Sequence, residues 1–412
     1  RSPPSSAALH ARLWTAQALQ RTMLCALHLL TGLLVTGVAL ASPHAQLLFS
    51  SVMPKEAPPA AYEETPPSIP EVHFGSIAEG RSIDGKPFPL VVTPAGGMQS
   101  LRDVTMFLEK HRRELDRLLT QHGALLFRGF PLPSATDFSA FVEALGYEDF
   151  PYVGGAAVRT RVAPRVFTSN ESPPSEVIPF HHELAQTPNS PGKILFFCGT
   201  APPQGGETPI LHSGELLRVL RQQVPALIQN LEEHGVRYVR VMPEHDDASS
   251  ALGRSWRSAF LIPDSGRPRR DRKAAERHLK AKGYAFEWLA NNDLRTITPV
   301  LHPVRSLPDG AHFKQAFFNQ IVAAYTGWTD ARNTGEKAVL IATSDGKRGK
   351  HGTVLPRCDM QKVEKAHRDL QVVFAWQKGD VLVLDNRQCM HARNSFVPPR
   401  RILASLASDS LQ

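Results

Sequence analysis

The sequence predicts an α+β protein with a jelly-roll or β-sandwich core decorated with helices. Three observations predict it. Two amphipathic helices, each opened by a capping box, come early in the body of the chain. A series of short, strand-like apolar runs follows, separated by long insertions. No internal repeat interrupts the pattern. The first helix begins at Ser100-x-x-Asp103 and places Val104, Phe107, Leu108, Leu115, Leu118 and Leu119 at helical spacing, with Gly123 as its stop. ALLFRGF (124–130) then reads as a buried strand. Ser134-x-x-Asp137 opens the second helix, which carries Phe138, Phe141, Val142 and Leu145 and ends at Gly146. Further strands are expected at 193–200, 237–242, 381–386 and 401–407, the third of these announced by Gly379-Asp380. Two short helices fill 213–234, the second opened by Pro225.

Composition narrows the function classes. The 412 residues are 42% hydrophobic and 21% charged, which excludes wholesale disorder and a multi-span membrane protein. The net charge of +8 is modest for this length and falls short of a nucleic-acid footprint. One stretch, 267–282, is strongly basic, and without interleaved aromatics it reads as a solvated helix rather than a nucleic-acid or lipid patch. The four cysteines, Cys25, Cys198, Cys358 and Cys389, form no C-x-x-C pair, so neither a zinc knuckle nor a disulfide framework is expected.

The N-terminus stands apart. No acid precedes Glu56, and Met23–Ser42 is a 20-residue apolar run. Residues 1–53 are therefore read as a targeting leader, a membrane anchor through 23–42, or sequence ahead of the true start. The compartment stays open among these, and that anchor would be the only membrane contact. Residues 54–70 are Pro-rich and aperiodic, a linker. A single catalytic body, 71–412, follows.

The chemistry concentrates in two places. In PFHHELAQTP (179–188), His181 and Glu183 lie two residues apart, a spacing that on a strand puts both side chains on one face and His182 on the other. In 384–407, His391 follows a strand end and Arg400-Arg401 open the next strand. If His391 folds back beside His181 and Glu183, the three make a 2-His-1-carboxylate set, the arrangement of non-haem Fe(II) oxygenases. A zincin is the rival, since His182-Glu183 begins H-E-x-x-H; its fifth position is Gln186, which leaves that site a ligand short.

Several blocks carry a specific resemblance: NESPPSEVIPFHHELAQTP (170–188), APPQGGETPI (201–210), FFNQIVAAYTGWTDARN (317–333), WQKGDVLVLDN (376–386), HARNSFVPPRRILASLA (391–407) and, earlier, PYVGGAAVRTRV (151–162). In these the chain resembles the TauD/TfdA family of Fe(II)/2-oxoglutarate-dependent dioxygenases, and its clavaminate synthase-like branch most. The resemblance implies a double-stranded β-helix (jelly-roll) core with His181, Glu183 and His391 as metal ligands. It implies Fe(II), 2-oxoglutarate and O₂ as the cofactor set, with Thr208 and Arg401 holding the far carboxylate of 2-oxoglutarate. A guanidinium fork suits that carboxylate, and only one of the adjacent arginines can face the interior. Some relatives that act on sulfonates carry a further arginine four residues on; here that position is Ser405, which disfavours a taurine-like substrate. Glu183 also disfavours halogenation. Asn170, Glu171, Tyr152 and Arg159 are the candidate substrate contacts, with turn and structural roles as their alternatives. Phe374, Trp376, Cys198 and Cys389 are read as core. The expected activity is oxidation, by hydroxylation, of an unactivated C–H bond in a small, amino-acid-derived molecule, with decarboxylation of 2-oxoglutarate to succinate. The alternative is an inactive binding protein on the same fold.

Overall fold

The structure, a computed structural model, describes residues 69–411 apart from 156, 248, 251 and 343–350. The leader, its apolar segment 23–42 and the linker up to residue 68 lie outside the described residues. Within those residues no helix is long and apolar enough to cross a membrane.

Both capping boxes close as the sequence requires. Ser100 Oγ accepts from the Asp103 N–H while the Asp103 carboxylate accepts from the Ser100 N–H, and helix Leu101–His122 ends on left-handed Gly123. Ser134 and Asp137 do the same for helix Ala135–Ala144. Pro225 opens Pro225–His234, which follows Ser213–Gln223. The basic stretch is indeed a helix, Pro268–Ala281, and its two acids turn inward: Asp271 pairs with Arg257 at 2.7 Å, and Glu276 accepts from Trp288 Nε1 at 2.9 Å.

The largest sheet has nine strands. Its centre is Lys193–Thr200, flanked antiparallel by Val381–Asp385 on one side and by Arg401–Leu411 on the other. Both faces of this centre are buried, so its strands are continuous apolar runs rather than alternating ones. The pleat still sorts the side chains. Leu195, Phe197, Leu403 and Ala407 pack under the two early helices. Ile194, Phe196, Ile402, Ala404 and Leu406 face the opposite layer. Phe197 stacks on Phe138 with ring centroids 5.1 Å apart and is 1% exposed. Phe197→Ala should therefore cost about 3–5 kcal/mol, the usual penalty for emptying a buried phenyl site, read as a lower urea midpoint with an unchanged slope.

The opposite layer contains a three-stranded sheet in the order Ile210–His212, Cys389–Arg393, Ile178–His181. A five-stranded sheet built around Val236–Met242, with helices 213–234 and Arg357–Leu370, forms the long insertion between the two halves of the site. The result is a mixed α+β fold of helices packed on extended sheets.

Candidate active site

Two strands set the site. His391 on Cys389–Arg393 lies directly across from His181 on Ile178–His181, and the two rings sit 4.3 Å apart. The strand ends at His181, so Glu183 does not reach the site by simple alternation. Instead the chain turns, and Leu184 takes a left-handed φ of 56°. Asn386 holds that turn: its Oδ1 accepts from the Glu183 N–H at 2.8 Å, and its Nδ2 donates to the Glu183 and Pro191 carbonyls. His182 points away, as its position between the two donors predicts. Its Nδ1 accepts from the Asn319 N–H, which leaves Nε2 facing Ser213 Oγ at 2.7 Å.

The donor atoms of His181, Glu183 and His391 all lie within 4.8 Å of one another. Glu183 Oε2 is 3.7 Å from His391 Nε2. His181 Nδ1–H donates to the Pro179 carbonyl at 2.9 Å, which fixes the tautomer and leaves Nε2 as a lone-pair donor. Burial holds both imidazoles below their ordinary value, His391 well below, and the nearby His181 pushes it the same way. Neutral imidazoles with one carboxylate are a donor set for a divalent transition metal. The residues present fit such an ion.

Around the three donors opens a cavity of about 630 Å³. Phe196 forms one wall, its ring 5.0 Å from that of His391. Tyr152, Arg159, Asn170 and Thr208 line it as well. Arg159 Nη2 donates to Glu183 Oε2 at 2.9 Å, and its guanidinium lies 4.1 Å from the Tyr152 ring centre. Burial opposes the charge on Arg159, but Glu183 and Tyr152 outweigh it and raise its pKa. Asn170 accepts from Arg393 Nη1 at 2.9 Å. Glu171 does not join the cavity. It is exposed and accepts from Thr168 Oγ1 at 2.8 Å, turned back onto its own hairpin.

The structure places the two adjacent arginines differently. Arg400 lines the cavity; Arg401 is exposed and outside it. Arg400 shares a face with Ile402 and Ala404, the side turned to the site. Its Nε donates to the Gly206 carbonyl at 2.8 Å, and its Nη2 lies 3.5 Å from Thr208 Oγ1. Gly206 takes a φ of +70°, and a Cβ there would sit 2.8 Å from Arg400 Cδ, so glycine is what lets the arginine cross. Among the described residues no carboxylate pairs with Arg400. Burial, with Arg393 adding to it, lowers its pKa to about 10. A buried cation without an anion is a site for one.

Three contributors were not given these roles from the sequence. Trp376 is core, as expected, but its Nε1–H also donates to Thr208 Oγ1 at 3.2 Å. Asn386 pins the Glu183 turn. Arg393, 5% exposed, donates to Asn170 Oδ1 and to the carbonyls of Ser172, Pro173 and Glu176. All three lie inside motif blocks already quoted; what the sequence lacks is any sign of their partners. Cys198 and Cys389 are buried free thiols, with Cys198 pushed up to about 12 by burial.

The family model described as "Taurine catabolism dioxygenase TauD, TfdA family" matches residues 84–406. The chain belongs to the TauD/TfdA family. A clavaminate synthase-like protein of Arabidopsis thaliana is 42% identical to this TauD/TfdA chain over 336 residues, covering 80% of this chain and 96% of that protein. The dapdiamide synthesis protein DdaC of Enterobacter agglomerans is 28% identical over 329 residues, covering 79% and 92% respectively. As a TauD/TfdA dioxygenase the chain is an oxidoreductase, and iron, 2-oxoglutarate and O₂ are the cofactor set of that class.

Proposed function

We propose that His181, Glu183 and His391 hold Fe(II), that Arg400 and Thr208 bind the far carboxylate of 2-oxoglutarate, and that the protein hydroxylates an unactivated C–H bond of a small molecule on a double-stranded β-helix core. The catalytic unit is 71–412, with 1–53 a targeting leader or membrane anchor and 54–70 a linker. The observation that carries the reading is the convergence of three donors within 4.8 Å in a cavity also lined by a half-buried arginine that pairs with no carboxylate among the described residues.

When bound, the iron with 2-oxoglutarate and O₂ supplies the oxidising power, and 2-oxoglutarate leaves as succinate and CO₂. The chain supplies position. Two neutral imidazoles and one carboxylate would hold the ion. Arg159 holds the Glu183 carboxylate by donating to Oε2. Asn386 fixes the Glu183 backbone on both its N–H and its carbonyl. Arg400 offers a planar fork, and Thr208, oriented by Trp376, adds a hydroxyl. Phe196 and Leu184 keep the metal side of the cavity apolar. With Arg400 as the cofactor arginine, the position four residues on becomes Ala404, buried like Ser405. A sulfonate anchored there stays disfavoured.

The test is spectroscopic. Anaerobic addition of Fe(II) and then 2-oxoglutarate should produce a weak visible charge-transfer band. A protein that binds neither, with no band, sinks both the enzyme reading and the assignment of the three donors.

A further inference from the structure

We propose that helix Pro268–Ala281 and the adjoining Leu261 form a docking face for an anionic phospholipid membrane. The helix turns a stripe of cations to solvent. Arg269, Arg270, Lys273, Arg277 and Lys280 are all exposed. At 3.6 residues per turn they fall within about 100° of the circumference, and no other position of the helix shares that arc. The opposite side is anchored: Ala275 and Leu279 are buried with Trp256, Phe260 and Leu294.

The two acids of this stretch are absent from the stripe. Asp271 is turned in to Arg257, and Glu276 accepts from Trp288 Nε1. The acids on neighbouring elements are engaged as well. Asp264 lies 3.9 Å from Arg257, and Glu287 pairs with Arg295 at 2.6 Å. Among the described residues no carboxylate forms an ion pair with any of the five stripe cations. Arg269 with Lys273, and Lys273 with Arg277, are like-charge pairs one helical turn apart, which weaken the helix in water. An anionic surface laid along the stripe relieves that repulsion.

Leu261 favours a lipid surface over other polyanions. It is 64% exposed and holds a φ of 54°, a left-handed backbone that strains a leucine and gives its side chain no packing in return. It follows Phe260, whose ring lies 5.1 Å from that of His278 on one flank of the stripe. A bare leucine beside a row of cations suits the boundary between headgroups and acyl chains, where apolar burial adds to charge attraction. The stripe itself carries no aromatic ring on which a nucleic-acid base could stack.

The experiment is co-sedimentation of the full chain with phosphatidylcholine vesicles, with and without phosphatidylserine. The chain should bind the mixed vesicles about tenfold or more tightly, and that preference should shrink as salt rises. Binding through the apolar run 23–42 would not depend on lipid charge. Each cation near an anionic leaflet contributes about fivefold in affinity, so Lys273→Gln combined with Arg277→Gln should weaken binding to the mixed vesicles about 25-fold. Lys362→Gln combined with Arg368→Gln removes the same charge from exposed positions of helix Arg357–Leu370 and should change it less than about twofold. Leu261→Asn, a residue that tolerates the left-handed backbone, should weaken it several-fold with the melting temperature unchanged. Equal binding to both kinds of vesicle would overturn the proposal, as would an anionic preference that survives in the Lys273/Arg277 variant. Equal losses in the two double variants would reduce the effect to net charge and overturn it too. Full binding by Leu261→Asn, together with poly(U) RNA binding that the Lys273/Arg277 variant loses, would assign the stripe to nucleic acid and defeat the membrane reading.

Discussion

Glu183→Ala should abolish turnover and remove the metal-dependent rise in melting temperature. Glu183 is the one anionic donor of the three, and its side chain is 4% exposed. Two neutral imidazoles alone leave a divalent ion without charge compensation. A metal held at a hundred times its dissociation constant stabilises the folded state by about 2.7 kcal/mol, and the variant forfeits that whole increment. A second effect is independent of metal. Alanine leaves the Arg159 charge buried without its partner, a change that typically costs about 3–5 kcal/mol. Glu183→Gln separates the two effects. It retains an oxygen acceptor for Arg159, so the metal-free melting temperature should fall less than in the alanine variant, while the metal response is still lost. Melts of all three proteins with and without Mn(II), beside succinate assays, check this. A metal shift that persists in Glu183→Ala would mean that the ion sits elsewhere.

Arg400→Ala should raise the 2-oxoglutarate requirement by about tenfold or more, and Arg401→Ala should leave it nearly unchanged. Truncating one member of a buried, hydrogen-bonded charge pair typically costs about 2–5 kcal/mol, and tenfold corresponds to about 1.4 kcal/mol. Arg400 is largely buried against Gly206 and Thr208, whereas Arg401 faces solvent. The two variants differ by one residue in sequence and should differ by an order of magnitude in the concentration of 2-oxoglutarate that gives half-maximal rate. The reverse order would return the role to Arg401. Small and equal effects would move the carboxylate to another cation.

The different placement of Arg400 and Arg401 shows where sequence reasoning stops. Ser100 and Ser134 could be read as helix starts because a capping box is local: donor, acceptor and spacing all lie within four residues. Strand 193–200 could be read to the residue for a related reason, an apolar run bounded by Pro191-Gly192 and Pro202-Pro203. His181 and Glu183 were visible as a spaced pair, although the turn that delivers Glu183 depends on Asn386, some two hundred positions away, and no local pattern encodes it. For Arg400 and Arg401 the sequence shows only that they oppose each other. Strand 401–411 is buried on both faces at its centre, so Ile402, Leu403 and Ala404 are all apolar and give no alternation to label the faces. The pairing also shifts between Cys198 and Thr200, right where Arg401 joins. Glu171 failed differently: it sits beside a genuine cavity residue, Asn170, and a single turn separates their fates.

The facing of His391 and His181 across two adjacent strands has a consequence for quality control. Side chains alternate with a period of two, so sliding strand 389–393 by one residue would turn His391 to the far face and bring Met390 or Ala392 in its place. No gradual loss is available: the alignment is either native or the histidine pair is gone. Ion capture at this pair would therefore act as a built-in proofreader of strand alignment. In a refolding mixture, chains with slipped pairing would be blind to the metal, and a metal-affinity titration would count the correctly assembled molecules directly.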